Sequence, residues 1–351
     1  MMNVDFDRLF SDLFPSLELF ANVDVPQLRA EYAHAVSSAR LDELLHAHHA
    51  PATRTALELL HDAHHTARLT TGCAHIDRFL GGGGVPCSAG LTEICGEAGA
   101  GKSTLALQLA LTAQLPVAAG GLDAAAAVFC TEEFSDRRLL QLQTSVAHRF
   151  ADSLHRRPSA ALSDRVFVRH VRSLDELWLA LQQLPLLMRT RGVRLVVIDS
   201  IASLFRCESF TREQLFERTN FLFSFARRLR ALSDEFSAAV VVTNQVTDVM
   251  SEHAGVSAAA DDAAGAVQAA LGPSWSACVA TRLTLRRLSG RAVAQSRAGV
   301  VVEAKRAADT AAAPGGDGAA TRFLSVSLSP MLEAGSEMLV CLDECGVSGV
   351  A

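Results

Sequence analysis

The chain has 351 residues, a formal net charge of −6 and an apolar fraction of 49%. That length fits about two domains and a large buried core. The acidic balance excludes a chain that holds nucleic acid by bulk charge, so any DNA contact has to come from a local patch or from a partner.

The first residues, Met1-Met2-Asn3-Val4-Asp5-Phe6-Asp7, are acidic and lack the apolar centre of a signal peptide. Across residues 1–50 apolar side chains recur at helical spacing: Phe6, Leu9, Phe10 and Leu13, then Leu28 and Tyr32, then Leu41, Leu44 and Leu45. This predicts a small helical N-terminal domain, followed by a linker over 51–70 and the main domain over 71–351. Histidines crowd the join, and His61 and His65 stand at the i, i+4 spacing that can hold zinc. No Cys or further acidic ligand completes a site there, so a solvated linker helix is expected.

Next come Ile76-Asp77-Arg78-Phe79-Leu80 and four glycines at 81–84, a helix stopped by Gly. Leu91-Thr92-Glu93-Ile94-Cys95 reads as a strand, and it feeds Gly96-Glu97-Ala98-Gly99-Ala100-Gly101-Lys102-Ser103-Thr104. This stretch fits the phosphate loop G-x-x-x-x-G-K-[ST] at every constrained position, and the apolar run from Leu105 to Leu111 continues it as a helix. Glycines let such a loop curl so that backbone N–H groups face phosphate oxygens. Lys102 would then reach the β- and γ-phosphates and Ser103 would ligate Mg²⁺, at the positive end of the helix. Lysine is used at two positions only, Lys102 and Lys305. A chain that otherwise uses arginine has placed a compact ammonium where phosphate chemistry needs one. The motif implies binding of a nucleoside triphosphate.

Beyond the loop, strand and helix signals alternate. Val128-Phe129-Cys130 precedes a helix from about Asp136, and Val166-Phe167-Val168 precedes one through Leu174, Leu177, Leu181 and Leu184. Leu195-Val196-Val197-Ile198 precedes a helix with Leu215, Leu222, Phe225, Leu229, Leu232 and Phe236 on one face, and Ala239-Val240-Val241-Val242 follows. Short β-branched runs between amphipathic helices predict a mostly parallel sheet covered on both faces. Residues 246–274, rich in Ala, Gly, Ser and Asp, read as a long mobile loop. Arg282-Leu283-Thr284-Leu285-Arg286 alternates like an antiparallel strand, 307–320 reads as a low-complexity loop, and strands near 322–328 and 338–342 complete an antiparallel edge.

Three strand ends carry candidate chemistry. Asp199-Ser200 ends the third run, at the acidic position that serves Mg²⁺ in such folds. Thr131-Glu132-Glu133 puts a carboxylate at the sheet's carboxyl edge, where it could polarise water, with Glu133 the adjacent competitor. Thr243-Asn244-Gln245 puts an amide pair at the same edge. The eight cysteines include no Cys-x-x-Cys pair, which suits reduced thiols, and no uncharged apolar run reaches membrane-spanning length. A soluble intracellular chain is expected.

The order Gly-Glu-x-x-x-Gly-Lys-Ser-Thr, Thr131-Glu132, Asp199-Ser200, Thr243-Asn244-Gln245 resembles the RecA-type recombinases of eukaryotes over roughly residues 53–350, and within them the recombinase paralogues. The resemblance implies a RecA-like α/β core, a mostly parallel sheet flanked by helices with antiparallel edge strands. It implies a nuclear (also cytoplasmic) DNA-repair protein with ATP and Mg²⁺ as cofactors. Such a protein helps the main recombinase assemble on broken DNA, alongside another paralogue and on single-stranded or junction DNA. It also implies that Glu132 is the hydrolytic base and Gln245 the γ-phosphate sensor, and that Arg138 stacks on adenine. The segments after Phe205 and Gln245 fall where recombinases place two DNA-facing loops, which makes Arg206, Arg212 and Arg218 candidates for DNA phosphate.

The chain departs from that pattern in three places. Thr53-Arg54-Thr55-Ala56 stands where recombinases offer a Phe-x-x-Ala knob to the next subunit, which argues against long self-filaments. Leu328-Ser329-Pro330 replaces the Asp-Ser-Pro of the cross-subunit ATP cap, which implies weak hydrolysis in trans. No Lys or Arg occurs from Val246 to Thr281, whereas Asp248, Glu252, Asp261 and Asp262 do. A loop of that composition repels phosphate. An active strand-exchange recombinase and a ring-forming RecA-fold motor remain the alternatives at this point.

Overall fold

In a computed structural model, residues 55, 57, 67–88, 90–154, 162–206, 214–248, 267–287 and 320–350 are described. The chain divides into two compact units, Met1–Asp62 and Ala63–Ala351. The helical N-terminal domain expected over 1–50, the histidine pair at 61 and 65, the 53–56 segment (Thr55 apart) and the low-complexity stretch from 307 all lie outside the described residues, save Ala320.

The second unit opens with β1 (Arg68–Leu69), which pairs antiparallel with β2 (Val85–Pro86) around helix α1 (Ala74–Phe79). Asp77 pins this turn. Its carboxylate accepts from Thr70 Oγ1, from Thr71 N at 2.8 Å and from Thr71 Oγ1 at 2.7 Å. Then follow β3 (Leu91–Gly96), α2 (Lys102–Thr112), β4 (Ala125–Cys130), α3 (Asp136–Arg149), β5 (Val166–His170), α4 (Leu174–Arg191) and β6 (Val193–Asp199). After them come α5 (Ile201–Arg206), α6 (Gln214–Glu235), β7 (Ala239–Asn244), β8 (Val246–Asp248), β9 (Val267–Ala269), α7 (Gly272–Ser276) and β10 (Thr281–Arg287). The unit closes with β11 (Ala320–Leu328), β12 (Glu337–Asp343) and β13 (Gly346–Gly349).

Nine strands form one sheet in the order β13-β12-β11-β10-β3-β7-β6-β4-β5. From β10 to β5 every pairing is parallel, and from β10 to β13 every pairing is antiparallel. The expected α/β core is therefore present. β10 differs from the sequence reading in one respect: besides its antiparallel pairing with β11 it lies parallel to β3. It is the strand at which the sheet changes sense.

Side-chain alternation divides the core in two. On β4, Ala125, Ala127 and Phe129 enter one cluster, and Ala126, Val128 and Cys130 the other. The first cluster takes α4 and α6, whose Leu222, Phe225, Leu229 and Leu232 are all fully buried. Burying each such side chain stabilises by about 1.5–3 kcal/mol. The second takes α2, β10, β11 and β12, and a third packs α2 against α3. Caps set the helix starts. Ser135 accepts from Arg138 N at 3.3 Å, and Ser173 accepts from Glu176 N at 3.2 Å.

Two elements correct the sequence reading. Residues 246–274 are not wholly a loop: β8 and β9 pair as an antiparallel ribbon, Val246 opposite Ala269, and α7 follows. A final strand, β13, lies beyond the two edge strands expected. It is tied to α2 by the buried Gln108, whose Nε2 donates to Thr71 O at 2.6 Å and Val347 O at 3.0 Å, while Oε1 accepts from Val347 N at 2.8 Å. Gly346 makes this possible: a Cβ there would lie 2.2 Å from Gln108 Oε1.

Candidate functional site

The parallel strands bring their carboxyl ends to one edge, the ligand-binding edge of open α/β sheets. Register fixes the line-up. Cys95 pairs with Asn244, Ile198 with Val242, and Cys130 with Asp199. The loop 96–104, Asp199, Glu132 and Gln245 therefore share that edge.

The loop leaves β3 at Gly96, where φ is 155° and a Cβ would sit 2.2 Å from Leu285 O. Only glycine lets β10 approach so closely. Gly101, at φ 105°, starts α2 in the left-handed region, and a Cβ there would come 3.3 Å from Leu342 of β12. Lys102 Nζ folds back and donates to Gly96 O and Glu97 O, both at 2.8 Å. A curled loop with its ammonium at its own mouth suits a polyphosphate. Ser103 is exposed at the first turn of α2. A triphosphate fits these residues, and Ser103 with Asp199 supplies the oxygen donors that Mg²⁺ prefers.

Asp199 is half-buried, and its Oδ1 accepts from Thr243 Oγ1 on the strand lying between β6 and β3. Thr131, just after β4, holds the neighbouring backbone. Its Oγ1 donates to Ser200 O at 2.9 Å and accepts from Ser200 N at 2.9 Å, and Ser203 Oγ donates to it too. Sequence reasoning missed both threonines. Both stand in the strand-end triplets Thr131-Glu132-Glu133 and Thr243-Asn244-Gln245, and that position was the available signal.

The exposed Glu132 receives a hydrogen bond on Oε1 from Gln245 Nε2 at 3.4 Å, so the structure brings these two candidates together across the edge. Arg138, on the first turn of α3, reaches the turn between β12 and β13. It donates to Glu344 O at 3.1 Å, to Asp343 O, and to Gln141 Oε1 at 3.3 Å. Arg218 lies over the Phe205 ring, 5.5 Å from its centroid. The side chain of Arg206 and the whole of Arg212 lie outside the described residues.

The cysteines among the described residues are free thiols. Burial first, and the Asp199 carboxylate second, push the Cys130 thiol up to about 12; burial pushes Cys87 up to about 11. The folded value is above the unfolded one, so deprotonation favours the unfolded chain. Stability falls as pH rises from the ordinary value of 9.0 towards about 12. At neutral pH the buried thiol is almost wholly protonated and unreactive. Native Cys130 is expected to alkylate at least ~10²-fold more slowly than in denaturant, with the exposed Cys345 reacting first. Peptide mass spectrometry after timed iodoacetamide exposure reads this, and equal native rates at Cys130 and Cys345 would refute it.

Fold and edge together define a phosphate-loop nucleotide-binding protein of the RecA-like class. A sequence model of the Rad51 family matches residues 63–309, and the chain belongs to that family, whose members are ATP-binding proteins of DNA repair and recombination. Among curated relatives, it is 37% identical over 223 residues to DNA repair protein XRCC3 of Mus musculus, covering 63% of this chain and 63% of that protein. It is 35% identical over 239 residues to the XRCC3 homolog of Arabidopsis thaliana, covering 64% of this chain and 78% of that one. It is 36% identical over 258 residues to DNA repair protein RAD51 homolog 2 of Mus musculus, covering 68% and 72%. The chain thus spans just under two thirds of the mouse XRCC3 protein. Among the described residues, no helix is long and apolar enough to cross a membrane.

Proposed function

We infer that this chain is an ATP-switched recombinase paralogue of homologous-recombination repair, which assists filament assembly on broken DNA together with a second paralogue in the nucleus. The observation that carries the reading is the hydrogen bond between Glu132 and Gln245, at the edge that also holds the phosphate loop and Asp199. Bound ATP supplies the phosphoryl group and Mg²⁺ its charge compensation. The residues supply the rest. Lys102 and the loop N–H groups would bind the phosphates, Ser103 and Asp199 would hold the metal, and Arg138 would stack on the base. Glu132 would take a proton from the attacking water, and Gln245 would sense the γ-phosphate. Low catalytic power is part of the reading, because Ser329 and Pro330 follow Leu328 where an acidic cap residue would otherwise stand.

DNA is held weakly in this reading, because 246–281 has four acids and no Lys or Arg. Arg206, Arg212 and Arg218 are the contacts proposed. Each phosphate contact on a single strand contributes about −0.7 to the slope of log affinity against log salt, so three support a slope near −2. The test is single-stranded DNA binding by the isolated chain across a salt series, with and without all three arginines changed to Ala. A shallow slope lost in the triple variant is expected. Tight, steep binding that survives it would place DNA elsewhere. Recovery of the chain from cells with a stoichiometric Rad51-family partner is the companion result, whereas ATP-dependent filaments of the pure chain would favour a strand-exchange recombinase.

A further inference from the structure

Glu93 is an acid in the middle of the sheet, on β3, with no access to water. A buried carboxylate is tolerated only where donors replace its hydration. Here three side chains do so, from three separate elements. Asn244 Nδ2 at the end of β7 and Trp275 Nε1 of α7 both donate to Oε1, each at 2.7 Å. Arg282 Nε of β10 donates to Oε2 as an ion pair, and the same guanidinium reaches Ser276 Oγ at 3.0 Å. Trp275 is itself fully buried and packs on Phe225.

The placement of these donors gives the cluster its meaning. Asn244 directly precedes Gln245, the residue in contact with Glu132, and β8 starts at the next residue. The other leg of the ribbon, β9, ends at Ala269, and Ala270 N donates to Gln245 O at 2.9 Å. The chain then enters α7 and delivers Trp275. One carboxylate oxygen therefore fastens both legs of the β8–β9 ribbon, the first through Asn244 and the second through Trp275. Gln245 sits at the hinge between them.

We propose that Glu93 is a positioning residue: it locks the two legs of the β8–β9 ribbon into one body, so that a displacement of Gln245 by nucleotide moves the whole ribbon rather than its first strand. Glu93 never touches nucleotide; it acts through Asn244 and Trp275. Arg282 neutralises the charge that makes this bifurcated acceptor strong. Buried networks of this kind are rigid in proportion as their members are satisfied, and here both Glu93 oxygens are, while Asn244 Oδ1 is buried without a partner among the described residues. The inference rests on the nucleotide site proposed above.

The experiment uses the full chain carrying Trp178→Phe, which leaves Trp275 as the sole tryptophan of the two in the sequence. Three readings are taken with and without saturating Mg²⁺-ATP: nucleotide affinity by calorimetry, Trp275 emission, and hydrogen exchange of the amides in 246–248 and 267–269. With Glu93 intact, ATP is expected to change the emission and to slow exchange in both legs together. The charge-neutral double variant Glu93→Leu with Arg282→Met, which leaves no acceptor for Asn244 and Trp275, is expected to bind ATP within about 3-fold of normal affinity while losing the emission change and the joint protection. Trp275→Phe, which retains the ion pair, keeps the proposal testable by hydrogen exchange if the double variant fails to fold; it should leave the first leg responsive and the second silent. Normal joint protection in either variant would overturn the role of Glu93 while leaving the nucleotide site standing. ATP binding with no response in either leg of the parent would overturn it equally. Absence of ATP binding in the parent would remove both inferences together.

Discussion

Lys102→Ala is expected to lose ATP binding almost completely. Its ammonium is held in the loop mouth, 2.8 Å from both Gly96 O and Glu97 O; among the described residues no arginine donates to those two carbonyls, and Arg322 meets the loop at Gly99 O instead. Leaving a triphosphate without its buried cationic partner costs about 2–5 kcal/mol, or roughly 30-fold to several thousand-fold in affinity. Lys102→Arg should retain binding but slow turnover, because a planar fork cannot sit where a point charge does. Calorimetric titration of both variants gives the comparison, with thermal unfolding of nucleotide-free protein confirming that the loop change has not undone the fold. Wild-type affinity in Lys102→Ala would end the phosphate-loop reading.

Glu132→Gln is expected to lower ATP hydrolysis by about 10²-fold or more, the size of a general-base contribution, with nucleotide affinity nearly intact. The amide keeps the shape of the side chain and can still meet Gln245, so binding geometry persists while the proton acceptor is lost. Glu133→Gln is the matched control: the adjacent acid is equally exposed, but the contact with Gln245 at 3.4 Å belongs to Glu132. Loss in the Glu133 variant instead would move the base by one residue. Unchanged hydrolysis in both would mean that the measured activity comes from another protein.

The sequence by itself determined whatever depends on neighbours along the chain. The phosphate loop is a contiguous motif. The strands around Val128, Val197 and Val241 are short β-branched or small-residue runs, and the faces of α4 and α6 follow a 3.6-residue period. The acids and amides at strand ends were legible because an α/β sheet sends its carboxyl ends to one edge. Glu93 was visible as an acid within an apolar strand, yet nothing near it in the chain could name its donors. Asn244, Trp275 and Arg282 lie 151, 182 and 189 residues away. Gln108 meets Val347 across 239 residues in the same way. The sense of β10 was equally hidden, since alternation reports which face is buried but not the direction of the partner strand. The β8–β9 ribbon is two strands of three residues each, too short to show a period. Only the tertiary structure decided these features, because a hydrogen bond between distant residues is set by the topology that brings them together, and side-chain periodicity carries no record of it.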